Sequence, residues 1–238
     1  MRVHRYGAPM TSVPVTGDTP ASTSAAEPEL RSARTLGEAF RIFASHLSPL
    51  LLMVLTLGLV VARLVVGDWR LRELLLVAAI AVAQPFVEWA THVYVLHARP
   101  RRVLGREVDP YVARKHRRHH ADPRNLDILS MPIPGLITFS LVIGGLSLLL
   151  PAASDRLTLG VAAALGTLGY EWIHFLIHTD YKPKTAAYRK LWTNHRLHHF
   201  RNENYWFGVS RLLGDQVLGT APAKQDVPVS PTVKAILG

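Results

Sequence analysis

The sequence predicts an all-α integral membrane protein, and three observations carry that prediction. Hydrophobic residues make up 49% of the 238, and they concentrate in four long runs. The polar stretches between the runs are basic, in keeping with a formal net charge of +10. Cysteine is absent while histidine is abundant, at 12 residues. Without cysteine there is no disulfide framework and no thiolate site, so any bound metal must be held by nitrogen or oxygen.

Taken in order, residues 1–38 are rich in Pro, Ser, Thr, Ala and Gly without apolar periodicity, and read as a disordered tail. No apolar run follows the first arginines, so a secretory signal is not expected. Residues 39–238 form the membrane domain. Its first span is "SPLLLMVLTLGLVVARLVV", residues 48–66, with Ser48 as N-cap, Pro49 as first helical residue and Arg63 placed to snorkel toward headgroups. Residues 74–96, 131–150 and 157–177 supply three more. Each approaches the ~20 residues that cross ~30 Å of hydrocarbon. Buried in a soluble protein of this size, four such helices would leave too little polar surface to cover them.

Orientation follows from lysine and arginine. The links 67–73 and 151–156 are short and balanced, whereas residues 97–130 and 179–238 each carry nine Lys/Arg against four Asp/Glu. Both termini and both long polar stretches are therefore expected on the cytoplasmic side, as a helical cap. Topology accounts for the basic excess, and nucleic acid is not needed as a partner.

Ten of the twelve histidines form an internal repeat. "EWATHVYVLH" gives His92 and His97, and after 18 polar residues "HRRHH" gives His116, His119 and His120. "EWIHFLIH" gives His174 and His178, and after 16 residues "HRLHH" gives His195, His198 and His199. On a helix, positions i, i+3 and i+4 share a face, so each triplet aims three imidazoles one way, and His174 with His178 do the same. His92 and His97 are five apart, ~140° around a regular helix, so they need a π-bulge, a helix end or two separate roles. Ten imidazoles exceed what one ion holds, and two metals are implied. Ligation by imidazole without thiolate suits iron, zinc or copper. Glu88 and Glu171 precede His92 and His174 by four and three residues, near the membrane edge where a lone carboxylate is costly. They are expected to accept the other ring N–H of a ligand histidine. Asp122, Asp127 and Asp180 flank the clusters and are weaker candidates for that part. His4 and His46 lie outside the pattern.

At these residues the sequence resembles the fatty acid hydroxylase superfamily, which includes fatty acid 2-hydroxylases, sterol desaturases and carotenoid hydroxylases. The likeness covers about residues 74–220 and rests on HxxxxH, HxxHH, HxxxH and HxxHH. "HHADPRNLDILSMPIPG", "GYEWIHFLIH" and "YWFGVSRLLGDQVLGT" look most like the fatty acid 2-hydroxylase branch. The resemblance implies two irons without haem, activating O₂ to hydroxylate a fatty acyl chain, at C2 by the branch. Zinc can take the same imidazoles in purified protein. Electrons are expected from a separate ferredoxin, b-type cytochrome or flavoprotein reductase, since nothing in residues 1–47 resembles a fused cytochrome. Trp89, Tyr94, Trp172, Phe175, Tyr205, Trp206 and Phe207 are candidates to line a path for lipid entering from the bilayer. Hydrocarbon C–H bonds offer no acidic proton, so redox metals rather than acid–base groups suit them. The rival readings are a carotenoid or sterol substrate, and a bis-histidine haem electron carrier. The carrier would want one histidine on each of two facing helices rather than triplets in polar segments.

Overall fold

The computed structural model describes residues 33–233, the side chains of Leu126 and Asp127 excepted. Residues 1–32 of the expected tail lie outside the described part. Thr35 caps the first helix with a capping box: its hydroxyl accepts the Glu38 N–H at 3.2 Å, while the Glu38 carboxylate accepts the Thr35 N–H at 3.1 Å. The helix so started, α1 (Leu36–Ser45), turns Ala39 and Phe43 inward.

Two long apolar helices follow. Helix α2 (Leu47–Val66) begins two residues earlier than its Pro49 suggests, with His46 as N-cap. Ser48 is thus inside the first turn, and its hydroxyl donates to the Met131 carbonyl. Gly67, at φ +60, makes the tight return that a side chain would strain. Helix α3 (Leu71–Ala90) continues without a break into a π-helical turn (Thr91–Leu96). A hairpin of two three-residue strands, β1 (Arg101–Val103) and β2 (Arg106–Val108), departs locally from the all-α expectation. Then come α4 (Tyr111–Ala121), α5 (Leu126–Leu129), α6 (Ile133–Ser147), α7 (Ala153–His178), α8 (Ala186–Phe200) and α9 (Leu213–Leu218).

Among the described residues, three helical stretches are long and apolar enough to cross a membrane: Leu47–Val66, Leu71–Leu96 and Ala153–His178. Helix α6 is shorter than expected, at 15 residues, which at ~1.5 Å per residue covers ~22 Å. Large apolar side chains stand exposed along these helices, among them Leu57 on α2, Leu75 on α3 and Leu141 on α6 at 65%, 72% and 71%. In water such a belt would drive association; against lipid it is the proper outer surface, and the chain is built for a bilayer.

Helix α7 packs against α2, α3 and α6, and one end of the bundle is tied by charge. Arg63 does not snorkel outward as expected. It is 3% exposed and donates to Glu73 at 2.5 Å and Thr158 at 2.8 Å, with Trp69 stacked 3.7 Å from its guanidinium carbon. Pairing is the physical reason: a charge inside apolar surroundings is tolerated where partners satisfy it. Arg72 reaches Asp155 of α7 at 2.7 Å beside this knot. At the other end of the bundle Phe43 packs on Trp172 and Phe175, with ring centroids 5.3 and 5.4 Å away. The histidines gather there.

Candidate metal centre

The π-helical turn answers the five-residue spacing of His92 and His97. A backbone bond from the His97 N–H to the His92 carbonyl, 3.1 Å long, widens the turn by one residue. The two rings consequently share a face, with centroids 5.1 Å apart. His174 and His178 reach the same result on regular helix, with centroids 4.9 Å apart.

The ten histidines come together as two groups of five, and within each group the candidate ligand atoms all lie within 4.8 Å of one another. The first group is His92, His97, His116, His120 and His198; the second is His119, His174, His178, His195 and His199. The groups do not follow the sequence repeat. Each triplet divides: its outer members stay with their own half, and its middle member crosses to the other. Helical geometry explains the division. Taking position i as reference, i+4 lies ~40° to one side and i+3 ~60° to the other, so a helix seated between two centres feeds both. The expectation that each triplet aims its three imidazoles one way is corrected accordingly. The groups abut where His120 stacks on His199, with centroids 4.2 Å apart.

Proton placement tests whether the residues fit a metal. His92 Nδ1 lies 2.6 Å from the Phe207 carbonyl and His198 Nδ1 lies 2.8 Å from the Tyr205 carbonyl. A carbonyl only accepts, so both Nδ1 atoms carry hydrogen and both Nε2 atoms present lone pairs. Those Nε2 atoms point at further Nε2 atoms: His92 to His116 at 3.2 Å, and His198 to His97 and His120 at 3.2 Å each. Ligands at ~2.0–2.1 Å from one ion stand about 3 Å apart. In the second group His178 and His195 approach to 3.0 Å, and both ring nitrogens of His119 and Nε2 of His174 are buried with no partner among the described residues. Convergent lone pairs repel one another unless a cation takes them, so each group could hold a metal ion.

Burial reinforces the choice. Desolvation, followed by the repulsion of neighbouring imidazoles, holds His97, His116, His119, His195, His198 and His199 well below the usual histidine range, and takes His120 down to about 3. The rings are therefore neutral near pH 7, the form that ligates.

The expected carboxylate partners are placed elsewhere. Glu88 accepts the Val209 and Ser210 N–H groups at 2.6 and 2.8 Å, and the Ser210 hydroxyl. Glu171 accepts the Met131 N–H at 2.9 Å. Neither sits on a histidine ring, because backbone amides brought close by folding occupy them first. Asp122 is exposed at the C-cap of α4, and Asp180 faces Arg124 at 3.9 Å. For His92 and His198 the orienting groups are instead backbone carbonyls. Tyr205 and Phe207, picked out for their rings, supply them.

The remaining aromatic candidates divide. Trp172 and Phe175 are accounted for by packing against Phe43. The Phe207 ring covers His92, His97 and His198 at 5.4–5.8 Å between centroids. Trp89 packs edge-on to it at 6.2 Å, and half-exposed Tyr94 edge-on to Trp89 at 5.8 Å. Trp206 is buried, with its indole N–H on the Pro222 carbonyl at 3.1 Å. Sequence reasoning missed Asp215, Asn194, Ser210 and Thr220, which hold the loop behind the first group. Ser210, Asp215 and Thr220 lie in "YWFGVSRLLGDQVLGT" and Asn194 on α8 just before His195, but nothing periodic marks them.

The sequence profile described as fatty acid hydroxylase matches residues 77–220, the stretch holding all ten histidines. The chain belongs to the fatty acid hydroxylase family. A search of curated proteins gives no match. Among solved structures, the family member is similar in fold to "Full length scs7p (only hydroxylase domain visible)", at 20% identity and a TM-score of 0.59, over 77% of this chain and 68% of that one. The member thus joins the family's histidine set to apolar spans, and its chemistry is that of an oxidoreductase hydroxylase acting on lipid.

Proposed function

We propose that the chain is an O₂-dependent membrane hydroxylase that holds two irons and inserts hydroxyl into a fatty acyl chain, at C2 by the branch its motifs resemble. The observation that carries this reading is the interlocked pair of five-histidine groups at the ends of lipid-facing helices. His92, His97, His116, His120 and His198 would hold one ion, and His119, His174, His178, His195 and His199 the other. When bound, the metals would supply the redox chemistry that an unactivated C–H bond demands. The protein gathers the ten imidazoles together, presents the Nε2 lone pairs of His92 and His198 inward, and covers His92, His97 and His198 with the Phe207 ring. Tyr94, exposed on the π-helical turn, marks a side on which an acyl chain could approach from the bilayer. Electrons would come from a separate redox protein on the cytoplasmic side.

The membrane topology in this proposal has four crossings. Arg72 at the start of α3 touches Asp155 at the start of α7, at the end of the bundle away from the histidines. The chain leaves His120 at the histidine end and reaches Asp155 at the other, which supports a fourth crossing within residues 121–152, with α6 as its helix. In this reading the basic stretches favour the cytoplasmic side for the histidine end and both termini. The test is lipid mass spectrometry of cells with and without the protein. A lipid series heavier by one oxygen, lost in His119→Ala, supports the reading. An altered sterol or carotenoid would redirect the substrate, and an unchanged lipid profile with a haem absorption band would sink it.

A further inference from the structure

Asp215 has no exposed surface, and four neutral donors converge on its carboxylate. One oxygen accepts the Phe207 N–H at 3.0 Å and the Thr220 hydroxyl at 2.6 Å. The other accepts the Gly208 N–H at 2.7 Å and the Asn194 amide at 3.1 Å. The residue just ahead of these two amides, Trp206, has φ +57, a left-handed conformation uncommon for a bulky side chain. Its own N–H donates to the Thr220 carbonyl at 2.8 Å. With the amides drawn to one side, the carbonyls on either flank of Trp206 face the other, where Tyr205 takes His198 and Phe207 takes His92. A left-handed residue persists only where its surroundings over-determine it, and such strain collects at functional sites.

This arrangement serves one centre only. Both clamped histidines belong to the first group, whereas Nδ1 of His119, His195 and His199 in the second group meets no protein partner among the described residues. We infer that Asp215 is a positioning residue for the first metal alone: it holds the Tyr205–Gly208 turn so that two carbonyls fix the tautomer and aim of His92 and His198, and thereby makes the two metal sites unequal. The inference rests on the two-metal reading above. Asparagine is nearly the same shape but has one accepting oxygen and an NH₂. In Asp215→Asn either the Phe207 or the Gly208 amide therefore faces another donor, and the turn relaxes.

The experiment titrates metal-free, full-length protein in detergent with Co²⁺ alone, reading ligand-field absorption. Wild type should take up two equivalents tightly. Asp215→Asn should keep one and weaken the other by roughly 10–100-fold, the range for lost orienting partners. Adding His178→Ala to Asp215→Asn should remove the remaining tight equivalent, while adding His97→Ala should leave it in place. Thr220→Val deletes one donor on the far side of the carboxylate with little change of shape. It should weaken the same equivalent more mildly, and it decides the matter if Asp215→Asn fails to fold. Two equally tight equivalents in the folded variants, or equal weakening of both, would overturn the inference while leaving the two-metal reading intact. Wild type that takes up no cobalt would overturn both.

Discussion

At the scale of the residue, the crossing of His119 and His198 is the feature with the sharpest consequence. Each lies one position before a histidine of the other group, so under the proposed two-metal reading neighbours in sequence report on different metals. His119→Ala should weaken the metal also weakened by His178→Ala, and His198→Ala the one weakened by His97→Ala. Cobalt titration of the paired variants checks this: loss of the same equivalent within each pair is expected, and loss of different ones would refute the grouping. The residue types were legible in the sequence because imidazoles at helical spacing have few other uses. Their allocation was not, since i+3 and i+4 share a face and only the position of the second centre separates them. Arg63 shows the converse. An arginine near a span end reads as snorkelling, yet Glu73 and Thr158 arrive from α3 and α7 to bury it. Removing one partner of a buried pair strands the other, so Arg63→Ala should cost about 3–5 kcal/mol in denaturant unfolding from detergent. Arg63→Met with Glu73→Gln should cost much less.

At the scale of the element, the way α9 seats on α3 links a glycine to the metal centre. A Cβ at Gly214 would lie 2.6 Å from the Pro85 carbonyl oxygen and 3.0 Å from Trp89 Cβ, so only glycine permits this approach. Pro85 has no N–H to bond the Ala81 carbonyl in the usual helical way, and the Arg211 guanidinium stands 3.5 Å from that oxygen instead. Gly214→Ala should push α9 outward and carry the adjacent Asp215 with it. About 1–3 kcal/mol of stability should be lost to overpacking, and the first metal should be released to a chelator faster than the second. A thermal melt combined with chelator-release kinetics separates the two effects, and unchanged release would show that α9 moves without disturbing the turn. The π-helical turn belongs to this scale too. The five-residue spacing demanded an irregularity without specifying which, and the closed His97-to-His92 backbone bond supplied the π form.

At the scale of the whole molecule, burial of so many imidazoles couples stability to pH in the direction opposite to a histidine that gains a partner. Their affinity for protons falls on folding, with His120 reaching about 3 from an ordinary 6.5. The unfolded chain therefore binds more protons below 6.5, and stability rises with pH through that window. The stabilisation from neutral burial is fully present above pH 6.5. It declines as pH falls from there toward 3, by up to about 1.4 kcal/mol per unit for each group. Protons also compete with metal for the same nitrogens. Melting temperature and bound metal in detergent should hold steady from pH 8 to 7 and fall together on acidification below 6.5. A profile flat to pH 5 would mean that the imidazoles are not buried as described.

The sequence by itself determined the largely helical build, the apolar spans and the histidine set. Apolar run length answers to bilayer thickness, and ten ordered histidines without cysteine answer to a metal, because both are properties of single residues and their spacing. Tertiary structure alone decided how the histidines divide, which groups orient them and why Glu88 and Glu171 stand on backbone amides. Those outcomes depend on atoms more than a hundred residues apart, such as the Glu88 carboxylate and the Val209 N–H, and a hydrogen bond forms with whatever donor the fold brings within reach.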